Sequence, residues 1–221
     1  YKKALSLQPN FLQAFHNLGI AYKHKGQFRE SISYYKKALS LKYNFPQAHN
    51  NLGIALQANG QLSAAIGSYK KAVEFQPEFY QAHNNLGAAL REKGHYSSSI
   101  ECYKRALDVK PDYLLAYNNL GIAYKDIGNL QLAIHTHQKV LDIDPSNSNA
   151  FYRLGRIHRS LGDLKLAKQF LLKALESNSQ HTDSLYILST DIDNATEVTD
   201  LLDFSEYAKT SKMTIRERAM I

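Results

Sequence analysis

Four asparagines recur every 34 residues: Asn17, Asn51, Asn85 and Asn119. Each side-chain amide offers one acceptor and two donors. A row of such groups can hold a peptide backbone of any sequence, because every peptide carries the complementary N–H and C=O. Asparagine is a mediocre helix former, so four in phase need a reason. A structural role, in which each amide bonds to the neighbouring repeat, is the competing explanation. Three residues after each Asn stand Ile20, Ile54, Ala88 and Ile122. This second row would give a ligand apolar contact beside the amides. In the fifth register the two rows read Arg153 and Arg156. A flanking row ends in Lys125 and Arg159. Guanidinium groups at Arg153, Arg156 and Arg159 would attract an acidic segment or a carboxylate.

Other reactive side chains do not assemble. The chain has nine His and one Cys. His49 and His83 occupy equivalent places in successive repeats, at a packing position. His135 and His137 are two apart on a helix and so point to different faces. No Cys, Asp or Glu completes a metal-ligand spacing around them, so neither a metal nor a cofactor is expected. Cys102 is a packing residue of a second helix rather than a nucleophile. No phosphate loop, dinucleotide fingerprint or nucleophile elbow occurs, so the chain is expected to be non-catalytic. The sequon Asn194-Ala195-Thr196 is a chance match.

The elements that position these residues follow from internal repetition. Leu-Gly recurs at Leu18-Gly19, Leu52-Gly53, Leu86-Gly87, Leu120-Gly121 and Leu154-Gly155, each step being 34 residues. Gly26, Gly60, Gly94, Gly128 and Gly162 follow in phase, as do Pro77, Pro111 and Pro145. Five units result: 12–45, 46–79, 80–113, 114–147 and 148–181. Residues 1–11 are in register with the tail of an earlier unit, so the chain reads as part of a longer polypeptide. With Leu-Gly placed at positions 7 and 8, positions 4, 7, 8 and 11 form one apolar stripe at about 100° per residue. Positions 17, 20, 21, 24 and 27 form a second. Gly at 15 stops the first helix with a left-handed cap. Pro at 32 ends the second. A single helix hairpin cannot bury its face alone, but stacked hairpins can, so the expected fold is an all-α solenoid. By the same angular count, positions 2, 6, 9 and 13 lie opposite the core stripe.

This pattern resembles the tetratricopeptide repeat (TPR) family. The resemblance implies a right-handed superhelix whose concave groove is lined by positions 2, 6, 9 and 13. It departs from the family pattern at His83, Leu90 and Ser99, at His137 and Val140, and most at His158, Leu171 and Ser179, where looser packing is expected. The asparagine row resembles the superhelix of the eukaryotic O-linked N-acetylglucosamine transferases and their bacterial relatives. The carboxylate clamp of chaperone-binding members is not matched. Position 5 reads His16, Asn50, Asn84, Asn118 and Tyr152, position 9 never carries Asn, and only Asn119 with Arg153 fits.

After the fifth unit, Leu185 and Leu188 continue the phase into another first helix. Asn194 with Glu197 resembles a capping box ahead of Val198, Leu201 and Leu202, and Thr214 with Glu217 opens a further helix. Residues 182–221 therefore read as a helical cap or linker. The run Thr214-Ile215-Arg216-Glu217-Arg218-Ala219 resembles one that follows the repeats of bacterial TPR–sulfotransferase fusions.

Composition agrees with a folded chain: 221 residues, 44% hydrophobic and 21% charged, with a formal charge of +7. One cysteine excludes a disulfide scaffold. No apolar run approaches the roughly 18 residues of a membrane span, and the N-terminus is neither a signal nor a transit peptide. A cytoplasmic location is the expectation. The cations at positions 25 and 26 complement helix C-termini, so nucleic acid is not expected as a partner. The expected function is a protein- or peptide-binding scaffold, possible acidic ligands included. The alternatives are a substrate-recognition piece of a glycosyltransferase or sulfotransferase, and self-association through open repeat ends.

Overall fold

The computed structural model describes residues 1–8 and 10–193. They form twelve helices: α1 (Lys2–Leu7), α2 (Leu12–His24), α3 (Phe28–Leu41), α4 (Pro46–Ala58), α5 (Leu62–Phe75), α6 (Tyr80–Glu92), α7 (Tyr96–Val109), α8 (Leu114–Asp126), α9 (Leu130–Ile143), α10 (Ser148–Ser160), α11 (Leu164–Ser177) and α12 (Thr182–Asp193). No strand occurs among the described residues. The capping box at Asn194, the sequon there and the helix expected from Thr214 lie outside them. None of the described helices is long and apolar enough to cross a membrane.

The chain divides into two compact units, Tyr1–Gly128 and a second from Asn129 onward. In the first, α2 packs on α3, α4 on α5 and α6 on α7, and each hairpin stacks on the next through α3–α4, α5–α6 and α7–α8. The first helices also touch one another, as α2–α4, α4–α6 and α6–α8. In the second, α10 packs on α11, with α9 and α12 on either side.

Each hairpin is closed by a glycine at its crossing. A Cβ built on Gly53 would lie 2.5 Å from Cε1 of Tyr69, on Gly19 2.5 Å from Cε1 of Tyr35, and on Gly87 2.7 Å from Cε1 of Tyr103. In α10 the same place, Gly155, faces Leu171. The tyrosine rings are fully buried, so the helix backbones meet across a ring with no room for a methyl. Burial also pushes the Tyr35 hydroxyl up to about 12, so it stays neutral. The second glycine of each repeat does different work. Gly26, Gly60, Gly94, Gly128 and Gly162 have φ between 71° and 84°. Gly26 N–H bonds to the Lys23 carbonyl and Gln27 N–H to the Tyr22 carbonyl, the paired bonds of a Schellman cap.

The buried stripe is broader than the sequence pattern indicates. Alanines at position 3, from Ala14 to Ala150, are buried with at most 1% exposure, and so are Ala55, Ala89 and Ala123 at position 10. Short alanines carry little apolar signal, yet they let successive first helices approach closely. Position 4, by contrast, is mostly half-buried. His49 sits there with Nε2 2.8 Å from the Tyr43 carbonyl, and His83 repeats the contact with Pro77. These histidines pin the loop from the preceding repeat, a packing role.

Replacing Gly53 by Ala should cost about 1–3 kcal/mol, because the buried Tyr69 ring cannot retreat. Gly67 lies exposed within α5 with nothing within 4 Å of its added Cβ. Gly67→Ala should instead stabilise by roughly 0.5–1 kcal/mol. Urea unfolding of the two variants should give opposite signs.

Candidate functional site

The asparagine row lies in the first unit on α2, α4, α6 and α8. Asn17, Asn51, Asn85 and Asn119 are all half-buried. Their amides do not simply face solvent. Asn85 donates from Nδ2 to Oδ1 of Asn50 at 2.9 Å, and Asn119 donates from Nδ2 to Oδ1 of Asn84 at 2.9 Å. Asn51 Nδ2 lies 3.2 Å from Nε2 of His16. Each contact joins position 6 of one repeat to position 5 of the repeat before. Asn17 differs, its Oδ1 accepting from Nε2 of Gln13 at 3.1 Å.

The structure thus realises the inter-repeat role that competed with ligand binding in the sequence. It also gives position 5 a role that the sequence did not suggest. His16, Asn50 and Asn84 are buried at 7%, 7% and 2% exposure, and act as acceptors for the next repeat. A buried amide without a partner would cost about 1–3 kcal/mol, so the residues at positions 5 and 6 require each other. The signal was present as polar pairs 35 residues apart, one more than the repeat length. An in-phase row of one position does not display it, because the bonds link unlike positions.

A second polar link with the same offset runs along the flank. Gln57 Nε2 donates to Glu92 Oε2 at 2.6 Å, and Arg91 pairs with Asp126 at 2.9 Å. Tyr69 adds its hydroxyl to Gln57 Oε1 at 3.1 Å. Lys125, two turns along from Tyr117 on α8, is exposed.

Ile20, Ile54 and Ile122 are half-buried rather than solvent-facing. Ile20 and Ile54 rest against the core formed by Leu52, Leu56, Tyr69 and their neighbours. The exposed Ile row expected from sequence is therefore partly absorbed into the stack, leaving one edge of each side chain outward. Among the described residues, no hydrogen bond engages Oδ1 of Asn51, Asn85 or Asn119. What the first unit presents is a line of oriented amide oxygens beside a line of isoleucine edges.

In the second unit the arginine cluster divides. Arg156 and Arg159 are exposed, and the Arg156 guanidinium lies 5.7 Å from the Tyr152 ring centroid. Arg153 is half-buried and its charge reaches His137. His137 replaces tyrosine at the core position of α9. Burial, helped by Arg153, lowers its pKa to about 4. Cys102 is half-buried, and burial, with Glu101 adding, pushes its thiol up to about 11. That thiol is a poor nucleophile near neutrality. No group of three His, Cys, Asp or Glu suited to a metal occurs among the described residues.

Family models for the TPR repeat match residues 21–60, 57–94 and 87–128, and models for the tetratricopeptide repeat match 1–33, 115–147 and 148–181. The chain belongs to the tetratricopeptide repeat family. Its architecture is that of a TPR solenoid and protein-interaction scaffold. No curated protein matches it in sequence. Among solved structures, the crystal structure of MamA is 28% identical, covering 75% of this chain and 96% of MamA at a TM-score of 0.69. MamA 41-end from Desulfovibrio magneticus RS-1 is 25% identical, covering 77% and 97% at 0.70. YrrB, described as a TPR protein with an unusual peptide-binding site, is 20% identical over 84% and 96% at 0.68, a likeness of fold.

His137 gives a pH test. Its folded pKa lies below the unfolded value of about 6.5, so the unfolded state binds the extra proton. Stability should be full above about pH 6.5 and fall as pH drops toward 4, by up to about 3 kcal/mol. His137→Leu, copying Leu171 of the next repeat, should flatten that part of the stability–pH curve.

Proposed function

We propose that the first unit binds an extended segment of a partner protein along α2, α4, α6 and α8. Asn17, Asn51, Asn85 and Asn119 face its backbone, Ile20, Ile54 and Ile122 take its apolar side chains, and Lys125 adds a cation. The uncommitted, pre-oriented amide oxygens of Asn51, Asn85 and Asn119 carry this reading. Their Nδ2 groups are held by the preceding repeat, so the oxygens act as acceptors for peptide N–H groups. Packed helices lie about 10 Å apart, and three residues of an extended chain span a similar length at about 3.3 Å each. A left-handed three-residue turn brings every third N–H to one side, so it suits the row best. Considered by itself, the second unit offers Arg156 and Arg159 on α10 as positive charge suited to an acidic group. The chain acts as a binding module rather than a catalyst, in the cytoplasm, whether alone or as the recognition arm of a larger enzyme.

The dual use of each amide shapes the test. Asn85→Ala with Asn119→Ala removes both the inter-repeat bond and the acceptor. Asn50→Ala with Asn84→Ala removes only the bond. Both pairs should lose stability, about 1 kcal/mol per bond. Against a peptide selected on the wild-type protein from a random display library, only the Asn85/Asn119 variant should lose affinity, by roughly tenfold. Equal affinities for the two variants, measured well below either melting temperature, would sink the acceptor row.

A further inference from the structure

The apolar row beside the asparagines is broken once. Position 9 reads Ile20 on α2, Ile54 on α4, Ala88 on α6 and Ile122 on α8. The isoleucines and Ala88 are all half-buried, so each keeps part of its surface outward. Alanine lacks the outer carbons of isoleucine. Ile54 and Ile122 stand two helix spacings apart, about 20 Å, and the surface between them is lower by the size of the missing carbons.

Close helix approach does not account for Ala88. That task falls to position 10, where Ala55, Ala89 and Ala123 are fully buried. Ala88 stands one residue before Ala89 and stays half-buried. Isoleucine at the same place in α2, α4 and α8 shows that the stack accepts the larger side chain. There it finishes the packing: Ile20 and Ile54 rest against the core cluster that includes Leu52, Leu86 and Leu90. The methyl of Ala88 reaches less far. Around the gap the polar groups are already engaged. One turn before it, Asn85 is held through Nδ2 by Asn50 at 2.9 Å. One turn after it, Arg91 pairs with Asp126 at 2.9 Å, and Glu92 accepts from Gln57 at 2.6 Å. Groups so engaged offer little to a charged side chain that must leave water, so apolar contact is what the gap can supply.

We infer that the gap over Ala88, between Ile54 and Ile122, receives one bulky apolar side chain of the bound segment, of the size of Leu, Met or Phe. The inference rests on the reading of the asparagine row as a peptide site, and it adds the feature that selects the peptide. Amide oxygens hold any backbone, whereas the break in the isoleucine row distinguishes one side chain from another. Backbone contacts with Asn51, Asn85 and Asn119 fix the register, so the bulky residue falls opposite α6. Residues opposite α4 and α8 meet isoleucine edges and are smaller. Filling the gap takes apolar surface of both partners out of water, and a small residue there leaves it wet. The segment recognised therefore carries small, large and small side chains at intervals of about three residues.

Random display peptides of about 12 residues, long enough to reach from α2 to α8 at about 3.3 Å each, are selected in parallel on the wild-type chain and on Ala88→Ile. The wild-type pool should converge on a bulky apolar residue at one position. The A88I pool should carry Gly, Ala or Ser there and otherwise match, and its enrichment also shows that A88I folds. A peptide selected on the wild type should bind A88I roughly tenfold more weakly. The peptide side reads the same contact without touching the protein. Ala in place of the bulky residue should cost roughly tenfold on the wild type and nothing further on A88I. Equal affinity of the selected peptide for both proteins, or a bulky residue retained in the A88I pool, would overturn the inference. Failure of the peptide site itself looks different. In that case N85A/N119A binds as tightly as the wild type, or no peptide is enriched on either protein, and the inference falls with it. Lost affinity in N85A/N119A beside full affinity in A88I would keep the amide row and remove only the gap.

Discussion

The fold depends on a backbone meeting a ring. At each hairpin of the first unit a helix carrying glycine lies against a buried tyrosine of its partner, with no space for one more carbon. That contact sets how near the two helices come. The distance in turn allows the alanines at position 3, and Ala55, Ala89 and Ala123 at position 10, to be fully buried. It brings successive first helices close enough for amides of neighbouring repeats to bond. Removing the ring, as at Leu171, changes the partner but keeps the requirement for glycine, since Gly155 still has no room for a Cβ.

Much of the architecture was legible in the sequence because it is periodic. Helix ends were marked by glycines whose left-handed conformation no other residue takes without strain. The core stripe at Leu18, Leu52, Leu86, Leu120 and Leu154 was equally plain, and all five are buried. What escaped notice was the part carried by residues of weak polarity signal. Ala48 or Ala82 scores as neither core nor surface, although each is completely buried. The repeat-to-repeat bonds were hidden for another reason. They link unlike positions, so comparing Asn50 with Asn84 shows a conserved polar place but not its partner, which is Asn85.

The candidate site was legible as a row of residue types and not as a geometry. Sequence alone could place Asn51, Asn85 and Asn119 on one side of successive helices. It could not say that each amide nitrogen is already occupied, nor that Ile20 and Ile54 are half absorbed by the core. The arginines of α10 show the same limit. Their spacing predicted a cluster, but Arg153 is drawn inward beside His137 while Arg156 and Arg159 remain outside. Burial depends on the facing helix, which no count along α10 reveals.

The paired polar links along the first helices have a mechanical consequence. Hydrogen bonds are directional and short in range, whereas aliphatic packing tolerates sliding. The first helices are tied at two heights, through Asn85–Asn50 and through Arg91–Asp126, while the second helices meet their neighbours mainly through apolar side chains. Within the first unit, one edge of the stack is therefore stiff and the other compliant. Under tension, such an assembly bends about its stiff edge before any hairpin opens, and a strand laid along that edge would raise its bending modulus further.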